Sequence, residues 1–548
     1  MTDIAAAPLQ PAPAPQQRWA VPAGGFALTA AVAALACAIP AGVVLLAAIG
    51  ALPIPGAAPT STPSAFATAY FWECVRGTLF LVAVASVGST VLGTLTAWLI
   101  SMCAFPGRGF FAWALVLPLA APAYVLAYAY AGLTWAGGIV PIGLSGLWGT
   151  AFVYTIAFYP YTYLSARAAF TSQSVCALEA GRTLGTKPFA LIWSIALPMA
   201  WPGIAAGATL ATMEIAADYG AAQHFGAQTL STGVFRAWYA RGEPQAALQL
   251  AGLLLIGAFV LLTVERTLRG RRGFAGGSSR WRPLPRYQLE KGPALAATAF
   301  CALIVGLGAV APFGWLLDKG LFRPTGDLSA LLTPLRNSLL LALAASLATL
   351  PLAAAIAAGA RQTTPLARKA GAAALFAAGV GYAAPGAVIA LGVLVVFGLL
   401  RQAGLVGGMA GGLALALLIW TYAARFAAPG AQPIEAGLSR VATSVGYAAR
   451  SLGASPLQRF WRVDLPIAAP SVAAATLIVF VEAMKELPAT LILRPFNFDT
   501  LAVKAYQYAS DERLAQAAAP CLIIVLAGLI PVIVLSQRIE AGRAGARP

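Results

Sequence analysis

Five ionisable side chains sit in stretches otherwise too apolar to hold them: Glu214 and Asp218 early in the chain, and Glu482, Lys485 and Glu486 later. Carboxylates are hard oxygen donors suited to a hard trivalent ion, and Tyr219 could add a phenol oxygen. Glu214 and Asp218 are four apart, as are Glu482 and Glu486, which predicts that each pair shares one helix face. Lys485 argues the other way, because an ammonium beside two carboxylates repels a cation and forms an ion pair with them. The residues therefore read as a gate or a structural ion pair in preference to a ligand shell, and no metal ligand is assigned. His224 is the only histidine, which argues against a histidine-built zinc or haem site.

The elements that must carry these charges are helices in an apolar solvent. Of 548 residues, 60% are hydrophobic and 10% charged, far from the balance of water-soluble domains. A spanning helix needs about 20 mainly apolar residues, and about twelve segments qualify. They lie near 26–49, 76–102, 111–135, 146–167, 197–220 and 247–265, then near 293–316, 335–360, 371–400, 409–427, 465–488 and 518–536. The fold class predicted is all-α and polytopic, with two homologous six-helix halves. A charge at mid-bilayer costs about 2.5–3.5 kcal/mol on insertion scales, so such a residue faces a partner or a wet cavity. Glu214, Asp218, Glu482, Lys485 and Glu486 follow Pro198 and Pro466 by roughly 16–20 residues, which at about 1.5 Å each places them toward the far end of a fifth helix.

The formal charge of +17 falls in short segments between apolar runs, where membrane topology accounts for it better than nucleic acid does. With the N-terminus inside, Arg108, the stretch from Arg167 to Lys187, Arg266 to Lys291, Arg361, Arg368, Lys369, the stretch from Arg425 to Arg462, and Arg538, Arg543 and Arg547 all face the cytoplasm. Both termini are expected there. Residues 1–25 read as a disordered tail, rich in Ala, Pro and Gln up to Gln17, and the run that follows as a retained helix anchor. Residues 266–291 read as a basic linker between halves at 26–265 and 292–548, whose core portions lie near 72–265 and 332–536. The six scattered cysteines read as small core residues. Pro118, Pro122, Pro385 and Gly386 fall inside apolar runs, where packing is favoured over a hinge.

One pattern occurs twice. Glu179, Ala180, Gly181, Gly185, Leu197 and Pro198 answer to Tyr447, Ala448, Ala449, Gly453, Leu465 and Pro466. Each copy reads as a short helix broken at its glycine, fit for a groove on another protein. The halves also match at Arg76-Gly77-Thr78-Leu79 against Arg336-Asn337-Ser338-Leu339, and at Glu214 against Glu482. Both copies enter the membrane in the same direction, which implies a pseudo-two-fold axis along the membrane normal.

The repeated loop resembles the signature loop of ABC-importer permeases. The strings from Glu214 to Gly220, from Ser231 to Trp238, from Met484 to Thr490 and from Leu493 to Arg513 are similar to the ferric iron importer permeases, including the fusion of two halves in one chain. That resemblance implies a bacterial inner-membrane permease working by alternating access, with two cytoplasmic ATPase subunits seated on the loops, a periplasmic substrate-binding protein outside, and lipid around it. Tyr447 departs from the family's Glu. ATP and Mg are expected on the partners and no cofactor in this chain: Gly181 to Lys187 has one residue too few between glycines for a phosphate-binding loop and no Ser or Thr after the Lys. The chain is therefore not expected to be an enzyme. Thiamine, polyamine, molybdate or sulfonate import on the same machine, an ion-coupled secondary transporter, and a scaffold without transport are the competing readings.

Overall fold

The computed structural model describes residues 23–54, 65–134, 143–171, 183, 192–270, 286–360, 365–408 and 411–541. Among the described residues nine helices are long and apolar enough to cross a membrane, and eleven spans result if each of two bent pairs counts as one. Exposed Leu28, Val32, Leu35, Val87, Val91, Leu340, Leu343 and Leu347 run along the outer faces of these helices, as expected where the surrounding solvent is hydrocarbon.

Two expected spans are not continuous. The segment near 111–135 is Arg108–Ala120 and Ala123–Thr134, bent by 96°, and the one near 371–400 is Lys369–Ala383 and Gly386–Gln402, bent by 111°. Pro122 and Pro385 stand at the two breaks. Proline removes an amide and clashes with the preceding turn, so these residues end helices here, beyond the packing role expected. Gly146–Thr171 is a 26-residue helix that falls outside the nine apolar spans. Tyr154, Tyr159 and Tyr163 are buried on it.

Three helices form the centre of each half. Ala69–Met102, Gly146–Thr171 and Leu197–Ala217 pack on one another, and Leu332–Ala360, Gly411–Ser439 and Leu465–Lys485 do the same. The repeat extends to single hydrogen bonds. The amide of Leu230 donates to Thr78 Oγ1 at 2.8 Å, and that of Leu501 to Ser338 Oγ at 2.8 Å. Each fifth helix is preceded by a π turn, Ile192–Ala196 in one half and Phe460–Asp464 in the other. Pro198 and Pro466 explain both, since a proline ring crowds the carbonyl four residues back and the ladder widens to the fifth. The amide of Leu465 accordingly bonds to the carbonyl of Phe460.

The halves are interlocked. Ala23–Ala48, the lead helix of the first half, packs against Leu332–Ala360, Pro365–Ala383 and Gly386–Gln402 of the second. The second lead span, Lys291–Phe322, packs against Ala123–Thr134 of the first half as well as Leu514–Ala541. A two-residue parallel bridge, Cys103 opposite Tyr287 and Ala104 opposite Gln288, ties the end of the linker to the first half. Cys37, Cys74, Cys103, Cys301 and Cys521 are buried free thiols.

At the lead-helix contact a Cβ on Gly392 would lie 2.1 Å from the carbonyl oxygen of Pro40. Gly392→Leu should therefore force the first lead helix off the second half and destabilise the chain by about 1–3 kcal/mol. Thermal unfolding of the detergent-solubilised protein checks this, and an unchanged midpoint would contradict the contact.

Candidate functional site

The fifth helices stop just short of the residues singled out by the sequence. Leu197–Ala217 ends at Asp218, whose backbone is extended at φ −68°, ψ 137°. Leu465–Lys485 ends at Glu486, extended at φ −70°, ψ 118°. Asp218 and Glu486 thus do not share a helix face with Glu214 and Glu482. The four-residue spacing was informative only if the helix ran past both members of each pair, and it does not.

Each of the two carboxylates caps the next helical turn. The amide of Ala221 donates to Asp218 Oδ2 at 3.0 Å, and the amide of Ala489 donates to Glu486 Oε1 at 3.2 Å. A helix start within an apolar layer leaves amides without partners, and a carboxylate is a strong acceptor for them.

The second partner of each carboxylate differs between halves. Tyr154 donates its hydroxyl to Asp218 Oδ2 at 2.8 Å. Glu486 Oε2 faces Arg425 Nε at 3.3 Å, with the two side chains only 6% and 12% exposed. Arg425 Nη1 also donates to the carbonyl of Ala384 at 3.0 Å, beside the break at Pro385. A Cβ on Gly386 would meet Glu486 Oε1 at 2.1 Å and Arg425 Nη1 at 3.0 Å. Only glycine lets the broken helix start against this ion pair. Tyr422, the counterpart of Tyr154, hydrogen-bonds Thr490 Oγ1 instead.

Arg425 was assigned by sequence to a cytoplasmic run of cations; it lies within the Gly411–Ser439 helix with its side chain 12% exposed. Its acid partner stands on a different span, so charge spacing along one helix could not reveal it. The expected internal ion pair forms in part. Lys485 Nζ donates to Glu482 Oε1 at 3.0 Å, while Glu486 pairs with Arg425.

The remaining candidates join the halves to each other. Tyr382 of the second half donates to Glu214 Oε1 at 3.2 Å. Tyr124 of the first donates to the carbonyl of Lys485 at 3.4 Å. The hydroxyls of Tyr219 and Tyr506 lie 3.0 Å apart, and the Tyr219 ring stacks on Phe235 at 3.9 Å. Tyr219 is thus committed to Tyr506 and Phe235. Tyr124, Tyr128, Met484 and Leu487 bury themselves around these contacts. Among the described residues no group of three or more His, Cys, Asp or Glu side chains is placed to hold a metal ion. The arrangement is a hydrogen-bonded network that joins the two halves near the ends of their fifth helices.

The second repeated loop is a helix-turn-helix. Tyr447, Ala448 and Ala449 lie on Thr443–Ser451, which closes with the amides of Leu452 and Ala454 bonded to the carbonyls of Ala448 and Ala449 at 3.2 and 3.0 Å. Gly453 takes φ +80° in that closure, the left-handed position that glycine fills without strain. Ser455 and Gln458 then cap the next turn reciprocally, amide to side chain, at 2.9 and 3.2 Å. Tyr447 and Leu452 stand 54% and 86% exposed beside buried Ala449. Leu465 and Pro466 open the fifth helix, as Leu197 and Pro198 do in the first half. Glu179, Ala180, Gly181 and Gly185 lie outside the described residues.

Residues 351–543 match the family described as binding-protein-dependent transport system inner membrane component. Over 475 residues the chain is 26% identical to the Fe(3+)-transport system permease protein FbpB 2 of Haemophilus influenzae, covering 85% of this chain and 90% of that one. Over 159 residues it is 28% identical to the molybdenum transport system permease protein ModB of Escherichia coli, covering 27% of this chain and 69% of that one. The matched segment, the likeness across both halves and the apolar helices agree: the chain is a helical, multi-pass membrane protein similar to inner-membrane permeases of binding-protein-dependent transport systems.

Proposed function

We propose that this chain forms the membrane path of an ATP-driven importer of ferric iron. Two cytoplasmic ATPase subunits sit on the loops at Glu179–Gly185 and Tyr447–Gly453 and hold the ATP and Mg, and a periplasmic binding protein delivers the cargo. Both termini and the 266–291 linker lie on the ATPase side, and the halves divide at that linker. The observation that carries the reading is the likeness to FbpB 2 across 85% of the chain, both halves included.

Closure of the ATPase pair displaces the two loops, and the π turns at Ile192–Ala196 and Phe460–Asp464 pass that movement into the fifth helices. Their far ends carry the hydrogen-bonded network, which serves as a plug. Glu214 and Glu482 already hold a tyrosine and a lysine, and Asp218 and Glu486 hold helix amides. Selection of iron accordingly rests with the binding protein. The likeness to ModB favours a second reading, an oxyanion cargo on the same machine.

Proteoliposomes containing the chain, its ATPase and a binding protein loaded with radiolabelled ferric iron test the reading. Uptake should require all three and ATP. Uptake by the chain alone would refute it, and uptake of molybdate in place of iron would favour the second reading. In the same assay Gly185→Val with Gly453→Val should leave the chain inserted but separate ATP hydrolysis from uptake.

Removing one member of the buried pair strands the other charge. Arg425→Met should destabilise the chain by about 3–5 kcal/mol, and adding Glu486→Gln should recover most of that loss. Thermal unfolding in detergent gives both numbers, and equal midpoints for the wild type and Arg425→Met would contradict the pair.

A further inference from the structure

The second loop is anchored to its fifth helix by a buried ion pair. In the second half Arg459 Nε lies 3.3 Å from Asp464 Oδ2, and the side chains are 8% and 2% exposed. Arg459 closes the short turn after the loop, and Asp464 is the last residue of the π turn before Leu465. The guanidinium lies under the loop helix itself. A Cβ on Gly446 would come within 2.6 Å of three of its atoms, so the loop helix reaches the ion pair only because that position has no side chain.

The repeat, read at the separation that sets Gly185 opposite Gly453 and Glu214 opposite Glu482, puts Leu178 opposite Gly446, Leu191 opposite Arg459 and Ala196 opposite Asp464. All three positions change together. In one half they are a space, a cation and an anion; in the other they are two leucines and an alanine. The far end of the same helix repeats the contrast, with Arg425 on Glu486 in the second half and Ala157 opposite Arg425 in the first. The second fifth helix is thus held by a buried ion pair at each end.

We infer that Gly446, Arg459 and Asp464 form a latch that makes the second loop and its fifth helix move as one piece, so that the second half carries the larger share of coupling between ATP hydrolysis and transport. Arg459 and Asp464 are positioning residues: they touch neither cargo nor nucleotide. A buried ion pair resists bending because separating its members in a low-dielectric site strands both charges. The first half's residue types at these positions, two leucines and an alanine, include no charge to strand. The inference rests on the proposed seating of ATPases on the loops.

The test uses the full chain reconstituted with its ATPase and loaded binding protein, reading bound ATPase, ATP hydrolysis and cargo uptake separately. Arg459→Leu and Asp464→Ala should each keep the ATPase bound and hydrolysing while cargo carried per ATP falls at least about fivefold. Exchanging the charges, R459D with D464R, should restore at least part of the ratio. The triple variant G446L/R459L/D464A carries the first half's residue types; it should fold with a wild-type melting temperature and still couple poorly. Wild-type cargo per ATP in the single variants or in the triple variant would overturn the latch, as would failure of the single variants to bind ATPase. A wild-type chain that binds no ATPase would overturn the seating of the loops and the latch with it, whereas a wild-type chain that binds it beside variants with unchanged ratios overturns the latch alone.

Discussion

A helix that starts inside an apolar layer exposes amides that have nothing to bond to, and most of the functional architecture follows from meeting that need. Both fifth helices stop among apolar side chains, at Asp218 and Glu486, and both acids turn to cap the amide three residues on. The breaks allow a short helix, Gly220–His224 or Pro488–Leu493, to follow each fifth helix. The caps make the breaks possible. Carboxylates that look from their chemistry like cargo ligands are held by the backbone of the plug.

What remains of each acid's charge is met differently, and this is where the two-fold repeat is broken. A phenol serves Asp218; a guanidinium serves Glu486. The guanidinium brings a further demand, since it reaches the carbonyl beside Pro385 and requires glycine at 386. One substitution of an arginine for the alanine at the equivalent site thus draws a helix break of the second half into the plug. The interlocked lead helices have a related effect, because neither half can tilt without carrying a helix of the other.

Much of the fold was legible because hydrocarbon imposes long apolar runs, and those runs are visible at 60% hydrophobic composition. The repeated loop was legible because Gly453 needs a left-handed turn and Pro466 distorts the turn before it, so their spacing is fixed by backbone geometry. The bends at Pro122 and Pro385 were not, since a proline in an apolar run is compatible with a kinked helix as well as a broken one. The face shared by Glu214 and Asp218 was misread for a related reason: periodicity holds only while the helix continues. Arg425 was misplaced because its partner lies on another span, and charge-based topology has no term for a cation that is paired within the layer. The crossing of the lead helices leaves no mark on local sequence at all.

The central claim is that the plug at the ends of the fifth helices must separate for cargo to pass. It is tested most directly by tethering Tyr219 to Tyr506, whose hydroxyls now lie 3.0 Å apart across the halves. In a chain cleared of its native cysteines, Y219C with Y506C joined by a short thiol crosslinker should abolish uptake in the reconstituted complex while the ATPase still binds, and cleaving the tether should restore it. Undiminished uptake through the tethered chain would contradict the account.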